Sequence, residues 1–96
     1  MKNRSDPEKV LIKPFGSISR GRILALLIDR QGQPLYQREI MHEIGSPVQP
    51  VQRESQNLVD LRIVKKAETH NRVYYEINTR FPFYKPLKEI CGLLIE

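Results

Sequence analysis

The sequence predicts a small α+β protein that is mainly helical, with three helices, then a β-hairpin, then a final helix. Apolar residues recur at helical spacing in the corresponding segments, and two β-rich runs flank a short polar segment. A chain of 96 residues has room for one hydrophobic core. We therefore expect a single domain over residues 1–96, with residues 1–14 as an N-terminal arm and residues 82–96 as a C-terminal helical element.

The first helix is predicted from about Ser19 to Arg30, where apolar residues recur with a helical period. Ser19 is a suitable N-cap, which would place Ile18 and Ile23 at the positions of a hydrophobic staple. Residues 31–34 then end the pattern, because Gly favours unusual backbone angles and Pro34 cannot lie inside a helix.

The second helix is predicted from Tyr36 to Ile44, with Gly45 at a position that commonly terminates helices. The third is predicted from about Gln49 to Leu61, because Pro50 is well tolerated as a first helical residue. An alternative start, with Ser46 as the N-cap of a capping box, ranks second because it would place Pro50 where an N–H is needed.

The hairpin is predicted from β-rich residues 63–67 and 72–78 around a polar tip at residues 68–71. The period of two puts Val73, Tyr75 and Ile77 on one face of the second strand. The final helix is predicted from about Pro86 to Leu94 and carries an apolar stripe. That stripe consists of Leu87, Ile90, Cys91 and Leu94.

Composition narrows the class of protein. The net charge of +5 is typical of nucleic-acid binders, although many small basic domains bind nothing anionic. Cys91 is the single cysteine, and with only His42 and His70 beside it we expect neither a disulfide nor a metal site. No catalytic constellation, membrane span or secretory signal is visible, so we expect a cytoplasmic protein that is not an enzyme and needs no cofactor.

The order helix, helix, turn, helix, hairpin is that of the winged helix-turn-helix fold. Five segments of the sequence also match a family pattern. They are SRGRILALL at residues 19–27, YQREI at 36–40, VQRE at 51–54, IVK at 63–65 and NRVYY at 71–75. Together with Asn78, they resemble the ArsR-like winged helix regulators, especially an archaeal and bacterial subgroup often found beside nucleotidyltransferase genes. The resemblance covers roughly residues 15–90 and implies a DNA-binding transcriptional regulator.

Three residues depart from the pattern of that family. Met41 stands where such sequences usually have Ala, and Ser55 where they usually have a core Leu. We hypothesise that the flexible Met fills the volume that Ser55 leaves empty. Arg62 replaces the usual Gly after the third helix, which predicts a differently shaped exit from that helix and leaves the direction of the wing open.

The resemblance implies that the third helix lies in the major groove of DNA. If Val51, Leu58 and Leu61 face the core, the opposite face carries the candidate contacts Gln49, Gln52, Arg53 and Gln56. Gln suits adenine, and Arg suits guanine or phosphate. The alternative is that these are ordinary solvated residues, with Arg53 paired to a nearby acid.

The hairpin, or wing, offers contacts to an adjacent minor groove or its phosphates through Lys65, Lys66, His70, Asn71 and Arg72. Charge at a hairpin tip is more often simple solvation, and Glu68 weakens the case. Arg38 is a candidate for a phosphate contact, with an exposed salt bridge to Glu39 or Glu43 as the alternative.

The apolar stripe of the final helix predicts a symmetric homodimer on DNA, since ArsR-like proteins commonly pair through terminal elements. The alternative is that this helix packs on the first helix of its own chain. A protein-interaction adaptor, or a regulatory partner of a nucleotidyltransferase, is the competing function. RNA binding is disfavoured because the tyrosines look structural and not like exposed stacking platforms.

Overall fold

The computed structural model describes residues 18–95, with side chains described over residues 18–90. This part of the chain is an α+β fold, mainly helical, in a winged-helix arrangement, which confirms the predicted fold class. Its elements are α1 (Ile18–Asp29), β1 (Leu35–Tyr36), α2 (Gln37–Ile44), α3 (Val48–Asp60), β2 (Val64–Thr69), β3 (Arg72–Ile77) and α4 (Tyr84–Ile95). No helix in this range is long and apolar enough to cross a bilayer.

The core lies between α1, α2, α3 and the inner face of the sheet. Its fully buried side chains include Ile23 and Leu24 from α1, Ile40 from α2 and Leu58 from α3. Tyr75 and Ile77 cover this core from β3, and Val73 packs against it, so the face predicted from the period of two is confirmed. Leu61, which was expected to face the core, is 53% exposed, because it caps α3 at its C-terminus.

The sheet is antiparallel with strand order β1-β3-β2. β1 was not predicted, because two residues are too few to show a period. The hairpin tip is shorter than the predicted residues 68–71, since Glu68 pairs with Val73 and the next residue pairs with Arg72. Only His70 and Asn71 therefore form the tip, and His70 takes a φ of +54°.

Three helices start earlier than predicted. α1 already includes Ile18, so Ser19 lies inside the helix, and the proposed staple is wrong because Ile18 is 46% exposed while Ile23 is fully buried. α3 begins at Val48, after Pro47 as N-cap, so both predicted starts of this helix are wrong. Pro50 is its third residue, and the first four N–H groups of a helix lack partners within it. α4 begins at Tyr84, so Pro86 is likewise the third residue of its helix and no hydrogen bond within the helix is lost.

α2 and α3 end in the same backbone motif. At the end of α2, Gly45 has a φ of +65° and the N–H of Ser46 donates to the carbonyl of Met41 over 3.0 Å. At the end of α3, Arg62 has a φ of +66° and the N–H of Ile63 donates to the carbonyl of Leu58 over 3.0 Å. Gly45 thus terminates α2 as predicted, whereas the predicted change of shape at Arg62 is wrong, because Arg62 adopts the left-handed conformation that favours glycine.

Ser55 is fully buried on α3, and its hydroxyl finds no hydrogen-bond partner among the described residues. Met41 is partly buried against the same core. That Met41 fills the volume left by Ser55 stays a prediction.

Candidate nucleic-acid interface

The solvent face of α3 carries the predicted polar residues. Gln49, Gln52 and Arg53 are exposed, and Gln56 is partly buried. The opposite face is closed, since Val51 and Leu58 are fully buried. The helix therefore presents a row of amide and guanidinium groups to solvent while its apolar stripe is fixed in the core.

Glu54 is a buried charged residue of this surface that sequence reasoning missed. It is only 4% exposed, and its carboxylate accepts three hydrogen bonds. Oε1 accepts from Arg20 Nε on α1 at 2.7 Å and from Asn57 Nδ2 at 3.1 Å, while Oε2 accepts from Arg53 Nε at 3.1 Å. A signal was available, because Glu54 lies three residues after Val51 and four before Leu58, on the buried stripe of the helix.

The ionised form of Glu54 is stabilised by these donors. Burial alone would raise the pKa of this carboxyl, but the hydrogen bonds from Arg20, Asn57 and Arg53 outweigh burial and hold the pKa below its ordinary value. Two guanidinium groups thus share one buried carboxylate.

Arg53 is held at one nitrogen and open at the others. Its Nε is bonded to Glu54, which matches the expected pairing with a nearby acid, yet its side chain remains 64% exposed. The terminal nitrogens of Arg53 form no hydrogen bond or ion pair with another side chain among the described residues. Pairing with the acid and availability to an outside ligand therefore coexist at this arginine.

The wing is joined to α3 by a polar link. Lys66 Nζ on β2 donates to Gln56 Oε1 at 3.3 Å and lies 3.5 Å from Glu68 Oε2. Gln56 also donates through Nε2 to Asp60 Oδ1 at 2.9 Å. Lys65 points to the other face of the hairpin, beside Glu76 in the strand register. The predicted residues Gln56 and Lys66 are thus brought together, and they make the α3 surface continuous with the wing.

A cluster of two tyrosines and an arginine joins β1 to the wing. The rings of Tyr36 and Tyr74 lie 4.6 Å apart between centroids, and Arg72 Cζ lies 4.8 Å from the Tyr36 centroid. Tyr74 donates to the Tyr36 hydroxyl at 3.2 Å, and Arg72 Nη1 donates to the same oxygen. These hydrogen bonds, that from Tyr74 first, lower the pKa of Tyr36. Sequence reasoning missed the cluster because it depends on the pairing of β1 with β3.

An open cleft of about 330 Å³ separates the start of α2 from the wing tip. It brings together the predicted residues Arg38, Asn71 and Arg72. The alternative salt bridges of Arg38 are not formed among the described residues, since Glu39 accepts the Tyr36 N–H at 2.8 Å and Glu43 pairs with Arg30 at 3.3 Å. The cleft is therefore lined by two guanidinium groups from separate elements.

The final helix is anchored on α1 and partly exposed. Tyr84 is buried, Leu87 packs against the core, and the hydroxyl of Tyr84 donates to the side chain of Gln31 in the turn that follows α1. Phe83, just before the helix, is 65% exposed and Ile90 is 44% exposed. The side chains of Cys91 and Leu94, also predicted as interface residues, lie outside the described range. The helix thus packs on its own chain and still leaves apolar surface uncovered.

Over the part of the chain that the structure describes, no group of three or more His, Cys, Asp or Glu side chains is arranged to hold a metal ion. His42 on α2 and His70 at the wing tip are both exposed.

Comparisons with protein-family models, with curated proteins and with solved structures find no match for this chain.

Proposed function

We propose that this protein binds double-stranded DNA in a sequence-dependent way and acts as a transcriptional regulator of the ArsR-like winged helix type. The observation that carries the proposal is the continuous polar surface formed by the solvent face of α3 and the basic wing, joined by the bond between Lys66 and Gln56. In this arrangement α3 enters the major groove and the hairpin lies on the adjacent minor groove or its phosphates.

The candidate contacts divide by chemistry. The exposed Gln49, Gln52 and Arg53 suit base edges, because Gln pairs with adenine and Arg with guanine through two hydrogen bonds. Arg38 and Lys65 form no ion pair within the described residues, and phosphates are their natural partners. Since each phosphate contact releases counterions, binding weakens as salt is raised.

A homodimer is part of the proposal. Phe83 and Ile90 expose apolar surface near the end of the chain that a second copy would cover. A two-fold dimer would present two α3 helices to successive major grooves, about 34 Å apart. The same exposed surface favours the second candidate function, a protein-interaction adaptor or a regulatory partner of a nucleotidyltransferase.

The test is binding of the purified protein to its own upstream DNA and to random DNA of equal length, by fluorescence anisotropy across a salt series. Arg53→Ala should weaken specific binding about tenfold or more, because one good bidentate contact is worth about 1–3 kcal/mol. Arg80→Ala is the matched control, since it removes the same charge from an exposed turn outside the proposed surface. Equal affinity of the wild type for both DNAs at every salt concentration would turn the interpretation towards the adaptor.

A further inference from the structure

We propose that Glu54 is a positioning residue for DNA reading: anchored in the core by α1, it fixes the side chain of Arg53 and aims the terminal nitrogens of Arg53 at a base or phosphate. This inference rests on the proposed function and deepens it, because it names the group that prepares the contact.

The two carboxylate oxygens of Glu54 accept hydrogen bonds from different donors. Oε1 accepts the bonds that anchor Glu54, from Arg20 Nε at 2.7 Å and Asn57 Nδ2 at 3.1 Å. Oε2 accepts the bond from Arg53 Nε at 3.1 Å. Because the Glu54 side chain is only 5% exposed and Arg20 comes from a different helix, Oε2 is held in a fixed position beneath the solvent face of α3.

The bond at Nε leaves the two terminal nitrogens of Arg53 available to a ligand. A guanidinium group is planar, so fixing its Nε–H limits the rotation of the whole group. The two terminal nitrogens are the donors that bind guanine O6 and N7, or two phosphate oxygens, as a fork. A long side chain that is already oriented loses less conformational freedom when it binds, which raises affinity without any added contact to the DNA.

Electrostatics allows a carboxylate at this place. An unpaired carboxylate behind the recognition surface would repel DNA phosphates, but Arg20 and Arg53 both pair with the carboxylate of Glu54. A purely structural ion pair would need only Arg20, so the separate bond to the 64% exposed Arg53 is the contact on which the positioning role depends. The positioning role predicts that the effect of Glu54 on DNA binding passes through Arg53.

A double-mutant cycle on DNA affinity tests this dependence. In Glu54→Gln the amide oxygen still accepts from Arg20, while the amide nitrogen cannot accept from Arg53 Nε. We expect this change to weaken binding to the upstream DNA about five- to tenfold in the wild-type background and less than about twofold in the Arg53→Ala background. Glu43→Gln, which makes the same change at an exposed acid paired with Arg30 away from α3, is the matched control and should leave affinity within about twofold.

A second measurement needs no DNA and no variant. In the nuclear magnetic resonance spectrum of the free protein, the Nε–H of Arg53 should exchange with water more slowly than that of exposed Arg80. Equal exchange rates overturn the inference, as does a loss of DNA affinity in Glu54→Gln that persists without Arg53. If the wild type does not prefer its upstream DNA, the proposed function fails and this role fails with it. The first two results refute only the role of Glu54, whereas the last refutes the proposed function as well.

Discussion

Replacing Arg62 by glycine is expected to stabilise the fold. Arg62 has a φ of +66°, a left-handed conformation that costs a residue with a Cβ about 1–2 kcal/mol. Glycine avoids most of that cost, and its greater freedom in the unfolded chain takes back about 0.4–1 kcal/mol. We therefore expect Arg62→Gly to raise the free energy of unfolding by about 0.5–1 kcal/mol.

The structure provides a reciprocal variant for the same energy term. Gly45 has nearly the same φ, +65°, and a Cβ built there would meet nothing within 4 Å. Gly45→Ala therefore adds conformational strain without a clash, and it should cost about 1 kcal/mol. At Arg62 the carbonyl still accepts from Asn78 Nδ2 at 2.8 Å after the change to glycine, so no backbone hydrogen bond is lost.

Urea unfolding followed by circular dichroism at 222 nm measures both changes. With a slope near 1.5 kcal/mol per molar urea, Arg62→Gly should raise the midpoint by about 0.3–0.7 M at unchanged slope. Arg62→Ala keeps the Cβ and removes the guanidinium group, so it should give no such gain. A midpoint for Arg62→Gly at or below that of Arg62→Ala would refute the assignment of strain to this residue.

Three further predictions concern charge, titration and assembly. The pKa of Glu54 is lowered on folding, so its ionised form stabilises the protein above the unfolded pKa of about 4.3. This stability is lost as the pH falls through the folded pKa. In urea titrations, Glu54→Gln should therefore lower the free energy of unfolding by about 1–3 kcal/mol at pH 7 and by progressively less below about pH 4. The hydrogen bond from Tyr74 lowers the pKa of Tyr36, whereas burial raises the pKa of Tyr75. Absorbance at 295 nm should therefore show Tyr36 ionising before Tyr75 as the pH rises, and Tyr36→Phe should remove the earlier step. A titration curve that this variant leaves unchanged would count against the cluster. Ile90→Glu should convert a dimer to a monomer in analytical ultracentrifugation with little loss of stability, since Ile90 is 44% exposed; a persistent dimer would place the interface elsewhere.

The regular elements were predictable because each carries a period long enough to count. Helix starts were less so: proline is tolerated throughout the first turn, and Pro50 and Pro86 both lie at the third position of their helices. A proline therefore fixes a start only to within a few residues. The strand β1 carries too few residues to show alternation, and it is defined by its pairing with β3.

The candidate site was predictable where exposure follows from helix periodicity, as for Gln52 and Arg53. It was not predictable where long-range contacts decide the role of a side chain. Glu54 was not singled out, although its spacing from Val51 and Leu58 placed it on the buried stripe. Its partner Arg20 lies 34 residues earlier, and only the packing of α1 against α3 brings the two together.

Arg62 and Glu54 relate stability to recognition in different ways. The backbone bonds at the end of α3 and the bond from Asn78 to the carbonyl of Arg62 determine where the chain turns into the wing. Glycine at position 62 keeps both, so Arg62→Gly should raise stability and leave DNA affinity within about twofold. Glu54 supports both the packing of α1 on α3 and the aim of Arg53, so its replacement should lower stability and affinity together. The two variants thus move the same pair of measurements in different patterns, which a general loosening of the fold would not produce.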